Sequence, residues 1–266
     1  MRLIKLSALI LLLPFLLQGQ WQKIADGLYL GRFTSPEMKA AKASKITIVK
    51  INPGKFQFKL LSVSQLNHRP LTARQWAKRY RLIAVTNAGM FATDFKTHVG
   101  YMKNFEHINN SQINHYRSVA AFNPYDSDKF PFMIFDLERI SFDQILKDYQ
   151  CLIQNLRLIR KPRENRWKPQ SRRWSEAALG QDKNGNVLLI FSRAPHSMYE
   201  FNNILLSLPI DLVCAQHLEG GPEASLFFKY GDVELRLMGS YETGFNENDD
   251  NTQFWPLPNV LGVTQK

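Results

Sequence analysis

The stretch AALGQDKNGNVLLIF, residues 177–191, predicts a β-hairpin, because its two apolar segments flank Asn184-Gly185, a dipeptide that favours a tight turn. A second hairpin is predicted in SLFFKYGDVELRLM, with its turn at Gly231-Asp232. Two further strands are predicted on either side of Asn52-Pro53-Gly54. Because hairpins join antiparallel strands, these stretches predict a sheet that is mixed or largely antiparallel.

Helices are predicted between the strands by their caps. Thr72 precedes a stretch with apolar residues on one face, ARQWAKRY. Ser141 and Ser197 are each followed three residues later by Gln or Glu, as in a capping box. Strands outnumber these helices, and no linker divides the chain. The sequence therefore predicts an α+β fold, a single domain over residues 21–266 built on a mixed, largely antiparallel β-sheet with a few packed helices.

The first twenty residues, MRLIKLSALILLLPFLLQGQ, predict an export signal. Arg2 and Lys5 precede an apolar segment, Leu6 to Leu17, that is too short for a comfortable membrane span. A cleaved signal peptide over residues 1–20 is the main interpretation, and an uncleaved N-terminal anchor is the alternative. The signal predicts a periplasmic or extracellular location.

Positive charge is concentrated in one segment of the chain. The net charge is +11, and eight Lys or Arg with a single acid occur in RLIRKPRENRWKPQSRR, residues 157–173. In an exported protein this excess indicates an anionic glycan, a phosphodiester or a lipid surface as the partner, rather than nucleic acid. A solvated loop is the alternative for the segment itself. No stable protein partner is predicted.

The sequence predicts neither a cofactor nor a metal site. Cys151 and Cys214 lie in apolar segments, which favours two unpaired buried thiols over a disulfide, and their spacing excludes a thiolate zinc site. No histidine pair has the i,i+4 spacing of a helical zinc motif. The acidic stretch ENDDN, residues 247–251, is better interpreted as a solvated loop than as a calcium site.

Two strand ends place one polar side chain beside glycine. AVTNAGMF contains Asn87 and Gly89, and CAQHLEGGPEAS contains Glu219 followed by Gly220 and Gly221. Strand ends hold side chains rigidly, while glycine lets a substrate come close to the backbone. Each stretch taken alone is equally consistent with a tight turn. Together they indicate a functional site but name no reaction.

The order of these and other short motifs resembles the phosphodiester glycosidase family. The family shows Asn-Gly/Ala-Gly-aromatic-Phe after a strand, matched by NAGMF, and then a glycine-bearing segment, matched by HVGYMKN. Ala-x-Gly-x-Asp follows, matched by AALGQD, and Leu-Asp-Gly-Gly comes next, to which LEGG is similar. The terminal PLPNVLGV looks like the closing strand of the family. The matching segments run from about Ile46 to Val263.

The resemblance implies hydrolysis of the glycosidic bond of a sugar-1-phosphodiester in an envelope or extracellular glycan. Glu219 would act as base, electrostatic stabiliser or nucleophile, and Asn87 would orient the sugar or the carboxylate. A carboxylate stabilises an oxocarbenium-like transition state, and a guanidinium fork binds two phosphate oxygens at once. The implied substrate-binding residues are Gly89, Gly220, Gly221, Arg172, Arg173, Lys103, His98 and His217. For the two histidines a purely structural role is the alternative.

Two departures from the family pattern bear on activity. The usual aspartate is Glu219 here, one methylene longer. An arginine often found before Ala-x-Gly is replaced by Glu176, with Arg172 and Arg173 three or four residues earlier. These departures leave open a catalytically inactive module of the same fold, whose basic loop with its interleaved tryptophans grips an anionic glycan. A structural envelope protein bound to acidic lipid headgroups is a third hypothesis.

Overall fold

The structure, a computed structural model, describes residues 20–34 and 45–266. Strands dominate these residues and form three sheets in which the paired strands run antiparallel. Strands and helices are numbered below in chain order. The predicted α+β class with a largely antiparallel sheet is confirmed.

The three sheets differ in size and are described by the spatial order of their strands. The first sheet has eight strands: β1 (Gln20–Ala25), β2 (Leu28–Phe33), β3 (Ile46–Ile51), β14 (Val187–His196), β13 (Trp174–Asp182), β15 (Leu212–Gly220), β11 (Arg157–Arg160) and β12 (Glu164–Asn165). The second has five: β7 (His107–Asn110), β6 (Met102–Asn104), β10 (Tyr149–Asn155), β8 (Ser118–Pro124) and β9 (Phe132–Asp136). The third has five: β17 (Val233–Met238), β16 (Ser225–Tyr230), β5 (Ala84–Asn87), β18 (Asn259–Gln265) and β4 (Phe56–Ser62).

The helices within the described residues are short, and the predicted caps begin three of them. They are α1 (Val63–Leu66), α2 (Ala73–Tyr80), α3 (Phe142–Asp148) and α4 (Met198–Ser207). At α2 and α4 both halves of a capping box form, from Thr72 and Ser197. At α3 the Ser141 hydroxyl accepts a hydrogen bond from the backbone N–H of Gln144. None of the described helices is long and apolar enough to cross a membrane.

Both predicted hairpins form, as β13–β14 and β16–β17. The two strands around Asn52-Pro53-Gly54 also form, but they do not pair with each other. β3 lies between β2 and β14 in the first sheet, whereas β4 pairs with β18 in the third. The turn therefore carries the chain from one sheet to another.

The main core lies where the three sheets meet. Its largest buried cluster takes side chains from every sheet, for example Val49, Leu60 and Phe122. A second cluster lies on the other face of the first sheet, where Phe201 and Leu205 of α4 cover it. Burial on both faces fixes the strands of the first sheet, so the side chains at their ends are held in place.

The cysteines are unpaired and buried, as predicted. Burial raises the pKa of the Cys214 thiol to about 12 and that of Cys151 above its usual value, so neither is a reactive thiolate. The predicted signal peptide over residues 1–20 lies outside the described residues, apart from Gln20 at the start of β1. It stays a prediction.

Candidate active site

The strand β15 ends in two glycines whose missing side chains make room for other groups. A Cβ on Gly220 would lie 2.7 Å from Cδ1 of Trp174, so the indole ring covers this glycine directly. Gly221 has a φ of +62°, and a Cβ there would lie 2.5 Å from Oε2 of Glu242. The chain then turns through a 3-10 segment, Gly221–Glu223, into β16. Close approach explains why both positions are glycine.

Four glutamates surround this turn. Glu219 is the last residue but one of β15, and Glu223 ends the 3-10 segment. Glu176 lies on β13 directly opposite Gly220. Glu242 comes from the loop after β17 and rests against the turn. The fold thus brings together carboxylates from three separate parts of the chain.

Crowding and burial hold protons on these carboxylates. Burial raises the pKa of Glu219 to about 8; the nearby charge of His217 opposes this shift, and the charges of Glu223 and Glu242 add to it. Burial likewise raises the pKa of Glu223 to about 7 and that of Glu242 above its usual value. A carboxylate that has lost its proton here attracts positive charge strongly, because little water screens it.

A buried hydrogen-bonded chain lies beside Glu219. Oε1 of Glu176 is 2.6 Å from Nδ1 of His217, and Oε2 of Glu176 accepts from the indole N–H of Trp174 at 2.6 Å. Burial lowers the pKa of His217, but the charge and hydrogen bond of Glu176, helped by Glu219, outweigh it and raise the pKa above 6.5. His217 is thereby kept cationic beside a cluster of carboxyls.

The two predicted phosphate-binding arginines point in different directions. Nη2 of Arg172 is 3.8 Å from Oε1 of Glu242, and the side chain is 69% exposed, so it stands at the rim of the site. Arg173 instead forms an ion pair with Glu200. Glu200 is part of the capping box of α4. Arg172 is therefore the arginine that the fold brings to the glutamates.

Asn87 acts on the site through the backbone of the turn. Its Nδ2 donates to the carbonyl of Glu223 at 3.0 Å, and its Oδ1 accepts from the N–H of Ser225 at 2.8 Å. Both ends of the amide are occupied, and the side chain is buried. Asn87 thus positions the segment that carries Glu223, which is one form of the predicted role of orienting a carboxylate.

Gly89, His98 and Lys103 lie in a neighbouring part of the fold. A Cβ on Gly89 would lie 2.2 Å from Oδ1 of Asn155 and 2.3 Å from Cε1 of His98, so this glycine is also required by close approach. Burial lowers the pKa of His98 to about 4, and the ring is neutral. Lys103 lies on β6 opposite Leu152, and no hydrogen bond or ion pair within residues 20–34 and 45–266 connects it to the glutamates.

Sequence reasoning did not single out Glu223, Glu242 or Tyr116. Tyr116 belongs with them because its hydroxyl has a pKa raised by burial and by the charge of Glu219. Glu223 could have been noticed two residues after the Gly-Gly pair. Glu242 and Tyr116 give no local signal, because only the fold brings them to the turn. In the part of the chain that the structure describes, no three His, Cys, Asp or Glu side chains form a group that could hold a metal ion.

Replacing Gly221 with alanine is expected to destabilise the protein by more than the backbone alone explains. An alanine at this φ costs about 1–2 kcal/mol, and its Cβ would also displace Glu242. Gly231→Ala is the matched control, because Gly231 has a φ of +54° and open space around a Cβ. Denaturant unfolding of both variants measures the difference. Equal losses would show that the contact with Glu242 has no weight.

The sequence profile of the phosphodiester glycosidase family matches residues 80–264. The chain belongs to this family. The match spans most of the described chain and includes each of the four glutamates, His217 and Asn87. A search of curated protein sequences gave no significant match.

Solved structures share the phosphodiester glycosidase fold of this chain. One is the catalytic domain of zebrafish N-acetylglucosamine-1-phosphodiester alpha-N-acetylglucosaminidase, auto-inhibited by its pro-peptide, with a TM-score of 0.60 and 16% identity over 90% of this chain and 82% of that one. Another is a hypothetical protein from Synechocystis, with a TM-score of 0.59 and 14% identity over 93% of this chain and 64% of that one. The resemblance inferred from the sequence motifs is confirmed.

Proposed function

We propose that this phosphodiester glycosidase family member hydrolyses the glycosidic bond of a sugar-1-phosphodiester. The observation that carries the proposal is the position of Glu219, a partly buried carboxyl at a rigid strand end, between cationic His217 and further carboxyls. Arg172 stands at the rim, where it can meet an anionic leaving group. The site thus offers negative charge for the sugar and positive charge for the phosphate.

The proposed reaction separates charge in the sense that these groups favour. The bond between the anomeric carbon and the phosphodiester oxygen breaks, and a phosphate monoester leaves with the bonding electron pair. The ionised Glu219 stabilises the positive charge that develops on the sugar. Water then adds to the anomeric carbon, and its proton passes to the Glu219 carboxylate. Arg172 and His217 are placed to stabilise the phosphate, which needs little help from a general acid.

A panel of sugar-1-phosphodiesters tests the proposal, with release of free sugar and of phosphate monoester as the two readouts. An α-N-acetylglucosamine-1-phosphodiester is the first compound to try, because it corresponds to the name of the zebrafish protein of the same fold. Equal amounts of both products are expected. A folded protein that releases neither product from any member of the panel would contradict the proposal.

The rate of hydrolysis is expected to rise with pH between 6 and 9. Glu219 must be ionised to act, and its pKa of about 8 leaves it largely protonated at pH 6. Ionisation is nearly complete a unit above that pKa, so kcat/KM increases through pH 8 and then levels off. A pH series with one active phosphodiester measures this. A rate that falls over the same range would assign Glu219 the opposite role, a general acid.

A glycan-binding module without turnover is the second candidate, and Glu176 favours it. The family pattern often has arginine at this position, whereas here a buried carboxylate holds His217 and Trp174. Binding of an anionic glycan that saturates and is unchanged in Glu219→Gln, without turnover in either protein, would support this alternative.

We also propose that the protein is exported, on the basis of the basic and apolar pattern of residues 1–20. Fractionation of cells that express the full chain, with N-terminal sequencing of the product, tests this. A mature protein that begins near residue 21 outside the cytoplasm is expected. Retention of Met1 in a cytoplasmic protein would contradict it.

A further inference from the structure

A cavity of about 270 Å³ adjoins the candidate active site and has no part in the reaction proposed above. Arg117, Arg166, His115 and Trp167 line it, and we refer to these four residues as the Arg117 groove. Leu156, in the wall of the same cavity, accepts a hydrogen bond from the backbone N–H of His217 at 2.9 Å. The groove and the site therefore share a wall.

The indole of Trp167 is a rigid surface of the groove. Its Nε1 donates to the carbonyl of Arg157 at 2.9 Å, and its backbone N–H donates to Oδ1 of Asn165 at 3.1 Å. The Asn165 side chain is itself held by Asn203 at 2.8 Å. A half-buried aromatic ring that is fixed in advance can cover a sugar face without losing much entropy on binding.

The guanidinium groups of the groove differ in how far acids compensate them. Arg157 is bound to Asp136 at 2.6 Å and serves as part of the wall. Nε of Arg166 is 2.7 Å from Glu164, which leaves its other nitrogens available. Arg117 is exposed, and no acid lies within 4.0 Å of it among the residues that the structure describes. Two guanidinium groups can thus meet an anion beside the indole.

We infer that the Arg117 groove binds a second, phosphate-bearing sugar unit, so that the substrate is a glycan with repeated phosphodiester links. This inference rests on the proposed function. Arg157, in the groove wall, pairs with Gln216, which precedes Glu219 by three residues. That separation is roughly 10 Å along a strand, a span that a sugar phosphate can bridge. Planar guanidinium forks suit phosphate oxygens, and the indole suits the sugar ring.

Binding measurements on the full chain test the groove without relying on turnover. The probes are a sugar-1-phosphodiester monomer, an oligomer of three units linked by phosphodiesters, and a uronate oligomer of equal length, all titrated into Glu219→Gln. The test variant adds Arg117→Gln and Arg166→Gln. The matched control adds Arg74→Gln and Lys78→Gln, which remove the same charge from a separate cavity beside α2.

The groove variant is expected to bind the phosphodiester oligomer about tenfold more weakly than its parent, a change of roughly 1.4 kcal/mol, while monomer binding stays the same. The control variant should bind both as its parent does. Equal weakening in groove and control variants, no weakening, or tighter binding of the uronate would each overturn the inference. If no phosphodiester is hydrolysed but the groove variant still loses oligomer affinity, the proposed function fails and the groove remains a binding site.

Discussion

Replacing Glu219 with glutamine lowers the rate of sugar release by at least about a hundredfold, which corresponds to a barrier higher by roughly 2.7 kcal/mol. Glutamine keeps the size and shape of the side chain but cannot carry the negative charge that stabilises the sugar in the transition state. It also cannot take up the proton of the attacking water. Glu219 is flanked by few groups that could substitute for it, because Glu223 and Glu242 themselves hold protons near neutral pH. Steady-state kinetics on an active phosphodiester measures the loss.

Glu219→Asp is the matched control for this prediction. It keeps the carboxylate, shortens the side chain by one methylene and restores the residue that the family pattern usually has. Activity within about tenfold of the wild type is expected, since a tenfold change is only about 1.4 kcal/mol of barrier. Full activity in Glu219→Gln would show that the carboxylate plays no chemical part, and the reaction would then have to be assigned to other residues.

Replacing Glu176 with glutamine lowers the free energy of unfolding by about 1.5–3 kcal/mol at pH 6, the usual value for a hydrogen bond to a charged group. Glu176 accepts from both His217 and Trp174, and each of its oxygens has one donor. Glutamine has a single acceptor oxygen, so one of these buried donors is left without a partner. Denaturant unfolding at several pH values measures the loss.

The effect of Glu176→Gln depends on pH in a defined direction. The folded state raises the pKa of His217 above 6.5, so folding favours the protonated ring. This stabilisation is fully present below pH 6.5 and is lost as the pH rises through the raised pKa. The difference between wild type and variant should therefore be larger at pH 6 than at pH 9. A difference that grows towards pH 9 would contradict the assignment of a cationic His217.

Glu234→Gln provides the matched control for Glu176→Gln. Glu234 lies in the hairpin β16–β17 and forms ion pairs with Lys229 and Arg236, whose side chains are largely exposed. Ion pairs at the surface contribute about 0–1 kcal/mol, because water and salt screen them. A small change in stability, alike at pH 6 and pH 9, is expected. If both variants lose the same stability, the buried position of Glu176 gives it no special weight.

Local pattern predicted the elements of the fold better than their neighbours. The hairpin turns at Asn184-Gly185 and Gly231-Asp232 and the caps at Thr72 and Ser197 each depend on a few adjacent residues, and all four form. The pairing of β3 and β4 with different sheets could not be predicted. A turn such as Asn52-Pro53-Gly54 reverses the chain equally well within a sheet and between sheets, and long-range burial decides between the two.

The site shows the same division. Gly220, Gly221 and Glu219 could be noticed because a charge beside two glycines at a strand end is unusual, and their family resemblance is confirmed by the match over residues 80–264. Which arginine reaches the glutamates could not be predicted. Arg172 and Arg173 are adjacent in the chain, and only the position of α4 draws Arg173 to Glu200.

From the amino-acid order alone follow the α+β class, the unpaired thiols and the Gly-Gly turn with its carboxylate, because each depends on short-range geometry or on composition. The tertiary structure alone decided that Glu242 fills the space above Gly221 and that Trp174 covers Gly220. It also decided that Glu176 holds His217 as a cation. Contacts between residues far apart in the chain, together with the exclusion of water from the place where they meet, produce these features, and neither is written in any single segment.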